Sequence, residues 1–135
     1  MGRVAAIDYG LKRIGIAVSD AGKKIALPLT TVEGGKRAIE NIRHALREKE
    51  VEKILVGYPL LMSGKSGEMA VIVEKFAQEL EKALGIPVIL IDERLSSRQA
   101  EAGLKEISLN RKERSERIDE VAATLLLQSY LDRSV

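Results

Sequence analysis

The sequence predicts an α/β domain with a mixed five-stranded sheet: a three-stranded antiparallel meander followed by two parallel strands, with helices on both faces. Two observations carry this prediction. Three short strand-like runs separated by tight turns open the chain, which is the pattern of a meander. Helical patterns then alternate with two short apolar runs, as in sheets that helices cover on both sides. With 135 residues, one domain spanning 1–135 is the natural count.

The meander is predicted from residue alternation and turn chemistry. The run Val4–Tyr9 is short and apolar, and Arg13–Asp20 alternates between apolar and small residues. The third strand is Lys24–Val32, in which Pro28 indicates an edge strand or a bulge because proline has no N–H to donate. The pair Gly34-Gly35 ends this part of the pattern.

Helix and strand signals alternate in the middle of the chain. Lys36–Glu50 has helical spacing, and Lys53–Tyr58 reads as a buried strand. Glu68–Leu84 is an amphipathic helix, followed by Gly85 where a C-terminal cap belongs. Pro87–Ile91 is predicted to be a second buried strand.

The last third of the chain is predicted to be helical around a charged loop. Ser96 and Gln99 form a capping box for one helix. Lys105–Glu116 reads as a loop, and Ser115 as the cap of a last helix that ends near Asp132. The resulting element order is that of the RNase H-like fold and also of the actin-like ATPase half-domain.

The composition excludes several classes of site. The chain has no cysteine, which excludes disulfides, thiolate zinc sites and a cysteine nucleophile. No apolar run approaches the ~18 residues of a membrane span, so a cytoplasmic protein is expected. The net charge is only +2, and aromatic residues make up 3%. A nucleic-acid partner would therefore be held by its phosphates rather than by stacking on its bases.

Two motif-like features are set aside. Gly64-Lys65-Ser66 follows a strand as a phosphate-binding loop would, but Pro59 occupies the position that requires glycine. His44 is the single histidine and lies among charged residues of a predicted helix, where a solvated side chain is expected. A histidine-based triad or metal site is therefore not predicted.

Three carboxylates lie where folding does not require them. Asp8 ends an apolar strand, where a buried charge is costly unless it is paired or binds a cation. Glu93 follows the apolar run PVILI, at the strand end where α/β proteins place their sites. Asp119 falls in the first turn of an apolar helix. The alternatives are a helix-dipole role for Asp119 and an ion pair of Glu93 with Arg94.

Such carboxylates suit phosphodiester hydrolysis. Two Mg²⁺ ions about 4 Å apart can clamp the attacking and leaving oxygens in line, and Mg²⁺ prefers carboxylate ligands. Gly15 and Ala17 would place small side chains beside Asp8 if the first two strands pair, which would leave room for a metal or a phosphate. A tightly packed hairpin is the alternative explanation of these small residues.

Basic residues near the acids are candidate substrate contacts. Phosphates would attract them, although Glu113 and Glu116 interrupt the second group, and a solvated surface of mixed charge is the alternative. The candidates are Lys12, Arg13, Arg94 and Arg98, together with Arg111, Lys112, Arg114 and Arg117.

Four segments follow one another in a recognisable order and spacing: AIDYGLKRIGIAVSD, VGYPLLMSGKSGEMA, IDERLSSRQAE and RIDEVAATLLLQSYL. They resemble the YqgF family of RNase H-like proteins over nearly the whole chain. The resemblance implies that Asp8, Glu93 and Asp119 are the catalytic and metal-binding acids. It also implies a nuclease that depends on Mg²⁺ or Mn²⁺, with two ions when substrate is bound. One departure is Glu74, at a position where a basic residue is common.

The resemblance implies processing of the 5′ end of pre-16S rRNA in ribosome biogenesis as the leading function. The alternatives are a Holliday junction resolvase that acts on four-way DNA junctions as a dimer, and a non-catalytic nucleic-acid-binding protein. An actin-like nucleotide-binding module is less favoured, because such ATPases need two domains to enclose the nucleotide. The residues leave open whether the protein is a monomer or a homodimer.

Overall fold

The computed structural model describes residues 2–58, 67–92 and 111–133, with the backbone alone for 111–119. Its five strands form one sheet of order β3-β2-β1-β4-β5. β1 pairs antiparallel with β2, and β2 with β3, whereas β1–β4 and β4–β5 are parallel. The predicted mixed sheet is confirmed. The strands are β1 (Arg3–Asp8), β2 (Arg13–Ser19), β3 (Ala26–Glu33), β4 (Val51–Tyr58) and β5 (Val88–Asp92).

Helices cover both faces of this sheet. A 3₁₀ turn (Gly35–Arg37) leads into α1 (Ala38–Leu46), and α2 (Glu68–Leu84) and α3 (Arg111–Arg133) follow. α1 and α2 pack on one face against a core that includes Ile7, Ile16 and Ile54. α3 packs on the other face through a core that includes Leu126 and Leu127. Within the described ranges, no helix combines the length and apolarity needed to cross a membrane.

The first helix is shorter than the sequence predicts. Helical spacing runs through Lys36–Glu50, but α1 ends at Leu46. Glu48 and Glu50 have φ angles of 67° and 52°, and a right-handed helix cannot include such left-handed residues. The helix prediction was therefore wrong beyond Leu46.

The start of the last helix also differs from the prediction. α3 begins at Arg111, so Ser115 lies inside the helix and is not its N-cap. Arginine, lysine and glutamate are strong helix formers, and the segment Arg111–Glu116 consists almost entirely of them. The charged loop predicted to extend to Glu116 was wrong from Arg111 onward.

Two local predictions in the strands have different outcomes. The edge position and bulge predicted from Pro28 are confirmed, because β3 is an outer strand and its register with β2 shifts between Ile16 and Ala17. The predicted burial of β5 was wrong. Ile89 and Leu90 keep 37% and 36% exposure, because β5 lies at the other edge of the sheet.

The ends of elements show how local chemistry fixes the fold. Gly85 caps α2 in the left-handed conformation, with φ at 69°, as predicted. At the β2–β3 turn, one Asp20 carboxylate oxygen accepts hydrogen bonds from the backbone N–H groups of Lys24 and Ile25, at 2.8 and 3.0 Å. These bonds hold the pKa of Asp20 below its usual value, mainly through Ile25 and then Lys24.

Candidate active site

Asp8 is the last residue of β1 and lies at the carboxyl end of the parallel strands. Successive strand residues face opposite sides of the sheet. Val4 and Ala6 belong to the core beneath α3, so Asp8 faces the α3 side as well. It is half-buried and lies directly opposite Gly15 of β2. The predicted placement of a small residue beside Asp8 is therefore found at Gly15.

Two polar contacts fix the direction of α3 over the sheet. Glu120 accepts a hydrogen bond from the Thr31 hydroxyl at 2.9 Å, near the end of β3. Eight residues later, Gln128 accepts a bond from the Ala26 N–H at 2.9 Å, at the start of β3. α3 therefore runs antiparallel to β3. Because β3 is parallel to β1 through two antiparallel pairings, the Glu120 end of α3 lies over the edge where Asp8 is found.

This geometry places Asp119 by its backbone. Asp119 belongs to α3 and precedes Ala123 by four residues, which on a helix is one turn along the same stripe. Ala123 is fully buried in the core between α3 and the sheet. Asp119 therefore lies on the same stripe as Ala123, in the half of α3 that covers the Asp8 edge. Because α3 begins at Arg111, Asp119 lies well inside the helix, and its predicted place in the first turn was wrong.

Glu93 lies outside the described residues. Its sequence neighbour Asp92 ends β5, in register with Tyr58 at the end of β4, so β1, β4 and β5 all end at the same edge of the sheet. Among the side chains that the structure describes, no three acids or histidines are grouped for a metal. Asp8 is the one proposed metal ligand whose side chain belongs to that set.

An open cleft of about 710 Å³ lies between the β1–β2 turn, the end of β3 and α3. Its walls include Lys12, Arg13 and Glu33, with Thr31 and Glu120 on the helix side. Lys12 and Arg13 are exposed. A phosphate could approach these two cations from solvent. The carboxylates of Glu33 and Glu120 also line the cleft, so its charge is mixed.

The other predicted substrate contacts are placed less fully. Arg94 and Arg98 lie outside the described residues. The backbones of Arg111, Lys112, Arg114 and Arg117 belong to the first part of α3, and their side chains are outside the described set.

The structure describes one of the two motif-like features that were set aside in the sequence. His44 is exposed on α1, as predicted for a solvated side chain. Gly64-Lys65-Ser66 lies outside the described residues. Glu74, noted as a departure from the related family, accepts a hydrogen bond from the Tyr58 hydroxyl at 2.5 Å and so connects α2 to the end of β4.

Sequence reasoning missed the contact between Thr31 and Glu120. Their positions are 89 residues apart, and neither sits in a local pattern that suggests a site. The one available signal was the adjacency of Glu120 to Asp119, which indicates only that the two residues differ by about 100° around the helix.

Known proteins resemble this chain in sequence and in fold. The family model described as "RuvX: Holliday junction resolvase" matches residues 2–133. The chain belongs to the RuvX family. A relative named "Putative pre-16S rRNA nuclease" from Protochlamydia amoebophila is 44% identical, with 96% of this chain and 93% of the relative covered. A protein of the same name from Syntrophomonas wolfei is also 44% identical, with 96% and 94% covered. The resemblance to the YqgF family is thereby confirmed.

Two solved structures have a fold similar to that of this chain. Fowlpox virus resolvase, solved with Holliday junction DNA, superimposes with a TM-score of 0.60 at 14% identity, over 98% of this chain and 99% of that one. Thermus thermophilus RuvC with its junction substrate gives 0.58 at 19% identity, over 98% and 96%. At these identities the likeness concerns the fold, and it confirms the predicted RNase H-like class.

Proposed function

We propose that this RuvX protein is a metal-dependent endonuclease that hydrolyses phosphodiester bonds in pre-16S rRNA. The observation that carries the proposal is the 44% identity, over nearly full length, to relatives named as pre-16S rRNA nucleases. The position of Asp8 supports it independently. Its half-buried carboxylate lies at the carboxyl end of β1, the end of a parallel strand where α/β sheets place their ligand sites.

The donor chemistry of the three proposed ligands fits Mg²⁺ or Mn²⁺. Asp8, Glu93 and Asp119 are the residues that would hold the ions, and hard divalent cations prefer carboxylate oxygens. The neighbour opposite Asp8 is Gly15, which adds no side chain to the space above the strand. When bound, two such ions polarise the phosphate and stabilise both the attacking and the leaving oxygen.

The chain's own cations would hold the substrate. Lys12 and Arg13 are exposed on one wall of the cleft, and the β1–β2 turn that carries Lys12 directly follows the Asp8 strand. Contacts to phosphate oxygens position a nucleic acid without reading its sequence. The basic residues Arg111, Lys112, Arg114 and Arg117 precede Asp119 on the same helix and are further candidate phosphate contacts.

A DNA-junction resolvase is the second candidate, because the matching family model carries that description. A resolvase must cut two strands of one junction symmetrically, so it would present two copies of the site and act as a dimer. An RNA-processing nuclease needs one site for each cut. The resolvase and the RNA-processing nuclease therefore differ both in their substrate and in the number of chains in the active species.

The test uses two substrates side by side with Mg²⁺ or Mn²⁺. One is a 5′-extended fragment of pre-16S rRNA, and the other is a four-way DNA junction. The controls are a chelator and two variants, Asp8→Asn at the proposed site and Asp132→Asn, which removes an exposed carboxylate near the far end of α3. The proposal expects metal-dependent cutting of the RNA that Asp8→Asn abolishes and Asp132→Asn retains.

Other outcomes would move the assignment. Symmetrical cutting of the junction by a dimer, with the RNA left intact, would establish the resolvase. Tight binding of either substrate without Asp8-dependent cutting would contradict the nuclease proposal and favour a non-catalytic binding protein.

A further inference from the structure

The contact between β3 and α3 suggests a role that the three acids do not cover. Asp8 pairs with Gly15, and Gly15 pairs with Thr31, so these three residues form one row across three strands. Residues in such a row face the same side of the sheet. Thr31 therefore shares the α3 side with Asp8, at roughly 10 Å, which is two strand spacings of about 4.8 Å.

The Thr31 hydroxyl donates its hydrogen bond to Glu120, at 2.9 Å. Glu120 directly follows Asp119, and consecutive helical residues differ by about 100° around the axis. A contact that fixes Glu120 toward β3 therefore fixes the rotation of the helix at Asp119. Gly15, which lies between Asp8 and Thr31 in this row, has no side chain. It therefore cannot contact α3 and fix the rotation of the helix in place of Thr31.

The described apolar side chains beyond Asp119 restrain this rotation only weakly. Among the described side chains of α3, the buried ones that follow Asp119 first are Ala122 and Ala123, and a methyl group restrains a helix against a sheet less than a long side chain does. The large buried residues Leu126 and Leu127 begin about one turn further on. The hydrogen bond therefore adds a directional restraint in a part of α3 where the described buried side chains are small.

We propose that Thr31 is a positioning residue for the metal site: its bond to Glu120 holds the Asp119–Glu120 part of α3 against β3 so that Asp119 can act with Asp8 on the same ion. This inference rests on the proposed function, because it takes Asp119 as a metal ligand. Groups that hydrogen-bond a metal ligand orient that ligand, and removing one lowers metal affinity or activity by about 10- to 100-fold. Thr31 acts one residue away from the ligand, through Glu120, so an effect at or below the lower end of this range is expected.

The test compares four single variants. Thr31→Val removes the hydroxyl and keeps the side-chain volume and the strand pairing, and Thr31→Ser restores a hydroxyl. Glu120→Ala removes the acceptor. Thr30→Val is the matched control, because Thr30 pairs with Ile16 on the opposite face of β3.

Binding of Mn²⁺ to the intact protein without nucleic acid is the primary readout, with Tm measured in parallel. We expect Thr31→Val to weaken Mn²⁺ binding by up to about tenfold, and to raise the Mg²⁺ concentration needed for half-maximal cutting by a similar factor. Thr31→Ser should recover most of the affinity, and Thr30→Val should bind as the wild type does. The double variant Thr31→Val/Glu120→Ala should bind Mn²⁺ no more weakly than the weaker of the two single variants, because both substitutions remove the same hydrogen bond.

Several results would overturn the inference. Wild-type Mn²⁺ affinity in Thr31→Val would do so, as would additive losses in the double variant. A fall in Tm without any change in Mn²⁺ affinity would show that the contact only stabilises the fold. If the wild-type protein itself binds no Mn²⁺, the proposed function fails first, and the assigned role of Thr31 fails with it.

Discussion

Gly34 packs against the turn that follows Asp8, and Gly34→Ala should destabilise the fold. Gly34 donates its N–H to the Lys12 carbonyl at 2.9 Å. A Cβ at position 34 would lie 2.7 Å from the Leu11 carbonyl oxygen and 2.8 Å from that of Gly10. The φ of Gly34 is −84°, which any residue adopts, so Gly34→Ala would act through steric overlap alone.

The overlap sets the expected magnitude. Carbon–oxygen contacts normally begin near 3.3 Å, so the two backbone carbonyls must each yield by roughly 0.5 Å. Overpacking of this kind typically costs about 1–3 kcal/mol. For a chain of this length, that corresponds to a fall in Tm of roughly 3–15 °C.

The neighbouring glycine supplies the matched control. Gly35 has φ at 82°, and a Cβ added there would meet nothing within 4 Å, so Gly35→Ala carries only the cost of a left-handed alanine, about 1 kcal/mol. Thermal unfolding of both variants is the assay. The reasoning is refuted if Gly34→Ala lowers the free energy of unfolding by clearly less than about 1 kcal/mol, or by less than Gly35→Ala does.

Three further predictions concern the core, the β2–β3 turn and the substrate surface. Leu126→Ala, at a side chain with 1% exposure, should lower the free energy of unfolding by about 2–5 kcal/mol, whereas Val71→Ala at 61% exposure should change it by at most about 0.5 kcal/mol; equal effects in denaturant titrations would contradict the core assignment. The pKa of Asp20 is lower in the folded state than the ordinary value of 3.8. The ionised carboxylate therefore stabilises the fold fully above pH 3.8, and this contribution is lost as the pH falls through the lowered pKa. In denaturant titrations, Asp20→Asn should therefore have a lower free energy of unfolding than the wild type at pH 7, and this difference should disappear below pH 3.8. A difference that does not change with pH would contradict a role for the ionised carboxylate. Lys12→Gln should weaken RNA binding and reduce the slope of log K against log salt by about one, while Lys82→Gln, in the last turn of α2, should leave the slope unchanged.

Much of the fold could be predicted because local chemistry decides it. The alternation in β2, the bulge at Pro28 and the glycine cap at Gly85 all depend on residues within a few positions of one another. The same holds for α2, whose predicted limits match Glu68–Leu84.

What could not be predicted depends on contacts between distant parts of the chain. The apolar run of β5 suggests burial, but only the strand order shows that it lies at a sheet edge. The candidate site follows the same rule. Asp8 could be singled out as a candidate from the cost of an acid in an apolar strand, whereas the Thr31–Glu120 contact joins residues that no local pattern connects.

The most direct test of the central claim is the single-turnover rate of Mn²⁺-dependent cutting of a pre-16S rRNA fragment by Asp8→Asn and Asp132→Asn. Both variants remove one carboxylate charge, but only Asp8 lies at the carboxyl end of β1. Losing a metal ligand should cost several kcal/mol of transition-state stabilisation, which corresponds to a rate at least about 100-fold lower for Asp8→Asn, with Asp132→Asn near the wild-type rate. Equal rates in the two variants would contradict the assignment of the Asp8 edge as the active site.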